Sequence, residues 1–409
     1  MFITGLLWVL VWGGMYSDVS RFNAEALLAG PASFVLTMRP FLPILAMAVC
    51  LVLLVRKRTI ALALEPGPFL SLSLYGLLGA AFFFLSPEPF FSLYWGGLFL
   101  AAPFVVWTLV NTGDAEARLG LVMSINAAVI LVMVLFYIAG PLWPILRGAH
   151  NPRLYKLPFG LGLQTANGVG RFAGVLGLIA LSRLRGPGLA KRALWAGLLA
   201  ASVLGLALSE SRTAILGFIV GSLLIVVSGR RLTWLAALVP GVFYFLYKAW
   251  FVWRFNGSLE NAFFLTGRET TWRKALAIAL RSPLAGHGFH ADRLMLEGEH
   301  VHMAYLHSLI QGGLLGALFF TAAIVGLWVL VVRRRVVQRA ALAEGPAAFL
   351  VTESLAVLGF LTARSFFEST AAFYGVDLLL FVPAMAYLQV WSRDHPPASA
   401  LADASAVRP

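Results

Sequence analysis

Apolar runs of roughly twenty residues recur along the whole chain, and no other feature limits the fold so tightly. A helix needs about 20 largely apolar residues to cross the hydrocarbon layer of a bilayer. A helix also satisfies its own backbone groups where no water can do so. Such runs lie near 1–16, 34–55, 69–85, 91–111, 119–139, 166–181, 193–209, 211–229, 232–250, 306–332, 346–363 and 371–391. The expected fold is therefore all-α: a polytopic membrane protein of about 12 transmembrane helices. Of the 409 residues, 60% are hydrophobic and only 12% charged, against about 45–50% and 25% in soluble domains. A soluble enzyme, a disulfide-built secreted domain and a disordered chain are excluded. The single cysteine, Cys50, sits inside an apolar run. The opening MFITGLLWVLVWGGMY lacks a basic start and a small-residue cleavage site, so it reads as a first span and not a removable signal.

The net charge is +13, from 31 basic and 18 acidic residues. Nucleic acid is not the partner this implies, because basic residues gather on the cytoplasmic loops of membrane proteins. With the N-terminus inside, Arg56-Lys57-Arg58, Arg118, Arg183, Arg185, Lys191, Arg192, Arg230-Arg231, Arg333-Arg334-Arg335 and Arg339 all fall on one side. Both termini are then cytoplasmic. Residues 1–393 form one transmembrane domain, and the Pro/Ala-rich tail 394–409 is expected to be disordered. Two longer segments lie on the opposite face, 140–165 and 251–305.

The polar residues at that outer face are the candidates for chemistry. Arg212 follows Ser209-Glu210-Ser211 at a helix start, where its planar fork can grip two phosphate oxygens. Arg268 stands in Thr266-Gly267-Arg268-Glu269-Thr270 at the start of a helix running through residue 281. A helix N-terminus carries unpaired amide donors and favours an anion. Trp272 in that helix is an interfacial anchor or a sugar platform. Ser282-Pro283-Leu284-Ala285-Gly286-His287-Gly288 reads as a turn. His287, His290, His300 and His302 lack the paired carboxylate or cysteine motif that would complete a metal site, so no metal and no cofactor is expected. His307 opens a strongly apolar helix and is placed to take a proton from a hydroxyl. Two arginines and a histidine on one face suit transfer from a lipid diphosphate, the arginines neutralising the leaving anion. A transporter with an anion site is the other class the composition allows. However, its ionisable groups would sit deep in the helices, whereas here they gather at the outer ends.

Three segments resemble the O-antigen ligase and polymerase superfamily of bacterial envelope enzymes. They are Ser211-Arg212-Thr213-Ala214 with Gly217; Thr266-Gly267-Arg268 with Trp272, Ser282-Pro283-Leu284 and Gly286-His287-Gly288; and His307-Ser308-Leu309 with Gln311 and Gly313-Leu314-Leu315-Gly316. Gln164-Thr165-Ala166-Asn167-Gly168 is a weaker match, with Ala166 where the family often has proline; the family's His-Asn is His307-Ser308 here. The resemblance implies a glycosyltransferase C-like membrane fold with a large periplasmic loop. It implies transfer of a polysaccharide from undecaprenyl diphosphate to a sugar hydroxyl of lipid A-core, at the periplasmic face of the inner membrane and without metal. Arg212 and Arg268 would hold the diphosphate, Trp272 and Asn167 would join the substrate site, and His307 would be the base. The polymerases of the superfamily extend the polymer instead.

Overall fold

The computed structural model describes residues 1–15, 30–57, 66–139, 154–156, 163–184, 188–209, 211–228, 268–343 and 345–395. The N-terminal part comprises α1 (Phe2–Gly13), α2 (Pro31–Met38), α3 (Leu42–Arg56), α4 (Pro68–Ala81), α5 (Pro89–Thr112) and α6 (Ala115–Ala139). After these come two strands, β1 (Leu154–Lys156) and β2 (Leu163–Thr165), and then α7 (Ala166–Arg183), α8 (Leu189–Ser209) and α9 (Arg212–Val227). The C-terminal part comprises α10 (Arg268–Ala279), α11 (Ala291–Met295), α12 (Ala304–Arg333), α13 (Val336–Ala340), α14 (Gly345–Ser365) and α15 (Val376–Asp394).

Seven helices among the described residues are long and apolar enough to cross a membrane. Each expected span other than 232–250 coincides with a described helix, and 232–250 lies outside the described residues. One short ribbon accompanies the helices. β1 and β2 form an antiparallel pair, Leu154 opposite Thr165, within the segment 140–165 expected to lie outside the spans. A two-stranded ribbon leaves edge groups unpaired, which water can satisfy and hydrocarbon cannot. Thr165 then caps α7, its hydroxyl accepting from the Gly168 amide at 3.3 Å.

The helices sort by what surrounds them. Leu314, Leu318, Val325, Val329 and Val332 are exposed along one stripe of α12, the spacing of a single helix face turned to lipid. By contrast, every residue of α15 from Val376 to Ser392 is buried. It packs against α14, α6, α5 and α4. A helix surrounded by protein need not be apolar all round, so α15 carries Asp377, Gln389 and Ser392 and is not among the seven long apolar helices. Asn126 of α6 ties three helices together. It accepts from Trp8 Nε1 at 2.7 Å and Trp12 Nε1 at 2.8 Å, and donates to the Leu379 carbonyl at 2.9 Å.

The two ends of the bundle differ chemically. At one end Arg183 pairs with Glu353 at 2.8 Å, and Lys57 donates to the Asn111 carbonyl. There also Arg339 lies over the Trp391 ring at 4.6 Å. The other end holds the starts of α7, α9, α12 and α15 and the loop after α14.

α12 is broken near that second end. Gly313 has φ 62° and ψ −159°, a region essentially restricted to glycine. The break frees carbonyls that the 282–288 turn collects: His287 N–H donates to Ile310 O at 2.8 Å and Gly288 N–H to Gln311 O at 2.9 Å. Leu314 N–H in turn donates to Pro283 O at 2.7 Å. A Cβ on Gly313 would lie 2.3 Å from the Leu284 carbonyl. Gly313→Ala therefore combines overpacking of about 1–3 kcal/mol with backbone strain of about 1–3 kcal/mol. The expected result is a sharp loss of monodisperse protein after detergent extraction and a lower unfolding midpoint. Wild-type behaviour in both would show that the turn does not depend on this backbone.

Candidate active site

The region 268–303 is a small folded unit and not an open loop; residues 251–267 lie outside the described ones. Ala275, Ile278, Ala279, Ala291, Leu296 and Val301 bury together with Ile310 of α12. Trp272 packs against this cluster and donates its indole N–H to the Val301 carbonyl at 2.7 Å. The unit holds α10 and α11 over the outer start of α12. That arrangement brings residues distant in sequence into two adjoining groups.

The first group surrounds Glu368, in the loop between α14 and α15. Its Oε1 accepts from Asn167 Nδ2 at 2.8 Å and Arg268 Nη2 at 3.2 Å, and its Oε2 accepts from His302 Nδ1 at 3.1 Å. Arg268 also donates to the Phe367 carbonyl at 2.5 Å. Asn167 Oδ1 accepts from Ser211 Oγ at 2.9 Å, and Ser211 is the N-cap of α9, which Arg212 begins. The two arginines expected to act together are thus linked through Ser211, Asn167 and Glu368. Burial alone would raise the Glu368 pKa, but the His302 hydrogen bond and the charges of Arg364 and Arg268 outweigh it and hold the carboxyl below its ordinary value. Arg364, in the last turn of α14, is fully buried, and its Nε and Nη1 have no hydrogen-bond partner. Beside it Arg171 pairs with Asp377 at 3.3 Å. The locality is crowded with guanidinium groups around two carboxylates.

The second group surrounds His307. Its Nδ1 lies 3.2 Å from Asp292 Oδ2. The contact is close but off the hydrogen-bond axis, so both atoms are buried without a bonded partner. His307 Nε2 lies 2.7 Å from Gln311 Nε2, one helical turn on. Gln311 Oε1 accepts from the Tyr75 hydroxyl at 2.5 Å. Burial raises the Asp292 pKa above its ordinary value, with His300 and Arg293 opposing. Burial and then Arg293 push His300 down to about 3, so His300 is neutral at physiological pH. A narrow cleft of about 10 Å³ opens here, lined by Asp292, His300, His307, Gln311, Trp95, His290 and Arg293 among others.

The two groups are continuous. The His302 ring lies 5.6 Å from the His300 ring, and His300 Nδ1 lies 3.9 Å from the Asp292 carboxylate that meets His307. Arg268, Asn167 and His307 therefore belong to one site, with Arg212 at its border. Trp272 is held by packing and by Val301, at the edge of the same unit. Sequence reasoning did not place Glu368, Arg364, Asp377, Asp292 and Tyr75 in this site. Arg364, Glu368 and Asp377 stand between or within the last two apolar runs of the chain, where an ionisable residue is expensive and marks a functional site; that signal was there to be used.

A protein-family model described as O-antigen ligase matches residues 196–321. The segment belongs to the O-antigen ligase family. It covers the latter part of α8, all of α9, α10 and α11, and the first part of α12, and so contains Arg212, Arg268, Asp292 and His307. Members of the O-antigen ligase family are glycosyltransferase-like ligases and polymerases acting on lipid-linked glycans. Asn167, Arg364 and Glu368 lie outside the matched segment. No curated protein matches the chain.

Proposed function

We propose that this protein is an O-antigen ligase of the bacterial inner membrane. It moves a polysaccharide from undecaprenyl diphosphate to a sugar hydroxyl of lipid A-core, on the periplasmic face, with about twelve spans and both termini cytoplasmic. The observation that carries this reading is the continuous chain of contacts from Arg268 through Glu368, His302, His300 and Asp292 to His307. It sets a phosphate-binding chemistry beside a proton acceptor. Arg268 and Arg212 each begin a helix, where the dipole and free amide groups add to their charge. Arg268 spends two contacts on Phe367 and Glu368, and its remaining donors are available to a phosphate. An apolar groove of about 380 Å³ between α9, α12 and α14 ends at Phe366 and Phe367, beside Arg268. That groove suits a lipid tail whose diphosphate meets the arginines.

In the reaction His307 takes the proton of the acceptor hydroxyl as its oxygen bonds to the anomeric carbon. The bond from that carbon to the diphosphate oxygen breaks, and the lipid diphosphate leaves with the electron pair. The arginines stabilise the negative charge that grows on it. Mixing the purified protein with lipid-linked polysaccharide and lipid A-core tests this directly. A joined product is expected. Growth of the lipid-linked polysaccharide on itself, with lipid A-core untouched, would replace ligase by polymerase. No new glycoside of either kind would reject the transferase reading.

Among the described residues no three His, Cys, Asp or Glu side chains are grouped as metal ligands would be. Arginine supplies the positive charge in this scheme, so transfer should persist after EDTA treatment and desalting. Loss on chelation, restored by one specific divalent ion, would overturn that expectation.

A further inference from the structure

Arg364 is 2% exposed, and its Nε and Nη1 have no hydrogen-bond partner. A buried charge is costly unless it is paired and hydrogen-bonded, and a guanidinium cannot escape by giving up its proton. The fold sets this one within electrostatic reach of two carboxylates that other side chains already bond. Asp377 pairs with Arg171, and Glu368 accepts from Asn167, Arg268 and His302. Arg364 and Glu368 stand four residues apart on one turn. The Arg364 carbonyl accepts from the Phe367 N–H at 2.9 Å and from the Glu368 N–H at 2.8 Å. Side chains so spaced share a face. Arg268 grips the same turn through the Phe367 carbonyl. What Arg364 brings to this turn is charge, since Nε and Nη1 bring no bond.

We propose that Arg364 is a positioning residue of the diphosphate site and acts through Glu368, whose carboxylate gathers Arg268, Asn167 and His302 into one arrangement. The inference rests on the transferase reading for its effect on turnover, while the coupling of Arg364 to Glu368 belongs to the resting protein. An ionised carboxylate offers only acceptors, as three converging donors require; a protonated one turns an oxygen into a donor and spoils the arrangement. The charged and titratable groups facing Glu368 are His302, Arg364 and Arg268, and those facing Arg364 are Asp377, Glu368, Arg171 and Arg268. Burial opposes the Glu368 charge, and the His302 hydrogen bond, Arg364 and Arg268 together overcome it. With the Arg364 charge removed the Glu368 pKa rises, so the arrangement fails at a higher pH as acid is added. At high pH Glu368 is ionised with or without Arg364, so the effect belongs to the acid side alone.

The test compares the full chain in detergent micelles as wild type, Arg364→Met and Arg364→Lys, titrated from mildly basic to acid pH. Arg364→Met removes the charge and breaks no hydrogen bond at Nε or Nη1; Arg364→Gln, neutral but polar, is the second variant should the first fold poorly. Infrared spectra follow the protonated Glu368 carboxyl band, assigned by its absence in Glu368→Gln. The band should appear about one pH unit higher in Arg364→Met than in wild type. Arg364→Lys should titrate as wild type does, because it restores the charge. The ratio of wild-type to Arg364→Met kcat should rise by about tenfold toward acid pH. In a Glu368→Gln background that ratio should stay flat, since two changes acting through one group do not add. A side chain that merely fills space would give a ratio independent of pH, with methionine and lysine alike. An unmoved Glu368 band in Arg364→Met, a ratio that does not rise in acid, or an equal rise in the Glu368→Gln background would each overturn the proposal. A shifted band in a protein that joins no glycan would instead reject the transferase reading and leave the coupling of Arg364 to Glu368 standing.

Discussion

His307→Ala should lower turnover per folded molecule by about 10²–10⁴-fold, the usual contribution of a positioned base, while the lipid-diphosphate donor still binds. The imidazole is buried at the outer start of α12 with a carboxylate on one nitrogen and an amide on the other. No other neutral base among the described residues meets both the cleft and the Asp292 carboxylate as closely. His300, the nearest alternative, is 3.9 Å from Asp292 and already engaged with Arg293. His307→Gln should not rescue, since glutamine keeps hydrogen bonding but accepts no full proton near neutral pH. If the histidine only stabilised a helix end, both variants would lose folded protein and the remainder would stay active. The decisive quantities are turnover per monodisperse molecule and donor affinity. Near-normal turnover in folded His307→Ala would remove the base assignment.

Arg268→Ala is expected to have the second-largest effect, a loss of about 10²–10³-fold in turnover, as when one donor to a developing anion is removed. Its side chain bridges the Phe367 carbonyl and Glu368. The alanine variant therefore withdraws a positive charge from the donor and a partner from a buried carboxylate. Asn167 and His302 still bind Glu368 in that variant, so the loop should stay folded and the loss should appear mainly in the chemistry. Arg268→Lys should recover only part of the rate. It restores a charge, but one ammonium cannot serve Phe367, Glu368 and a phosphate with the same planar geometry. Donor titration and turnover on both variants separate these contributions. Wild-type rates in both would reject the role of Arg268 in holding the diphosphate.

Residue types and spacing alone carried the membrane class, the helix positions and the gathering of polar residues at one end of the bundle. Hydrocarbon imposes these locally: a run of apolar residues must be helical there, and ionisable residues must collect at its ends. The same logic reached Arg212, Arg268 and His307 as candidates, each in the first turns of an apolar or amphipathic helix, whereas Asn167 came only from the family resemblance. Trp272 was ambiguous in the sequence, and its bond to Val301 accounts for its placement by packing.

The partners of those residues were decided only by the tertiary structure. Glu368 is 100 residues from Arg268 and 201 from Asn167, and Tyr75 is 236 from Gln311. No periodicity relates positions so far apart; the packing of α4 on α12 and of α14 on α9 does. The break at Gly313 shows the same division. The sequence displays two adjacent glycines in an apolar run, which a straight membrane helix tolerates. Only the docked 282–288 turn, which takes the freed carbonyls of Ile310 and Gln311, explains why the helix breaks there. What the sequence determined was the set of residues that must face water at one end of a bundle. Which of them meet depended on long-range contacts, because a buried polar atom is stable only where the fold brings it a partner.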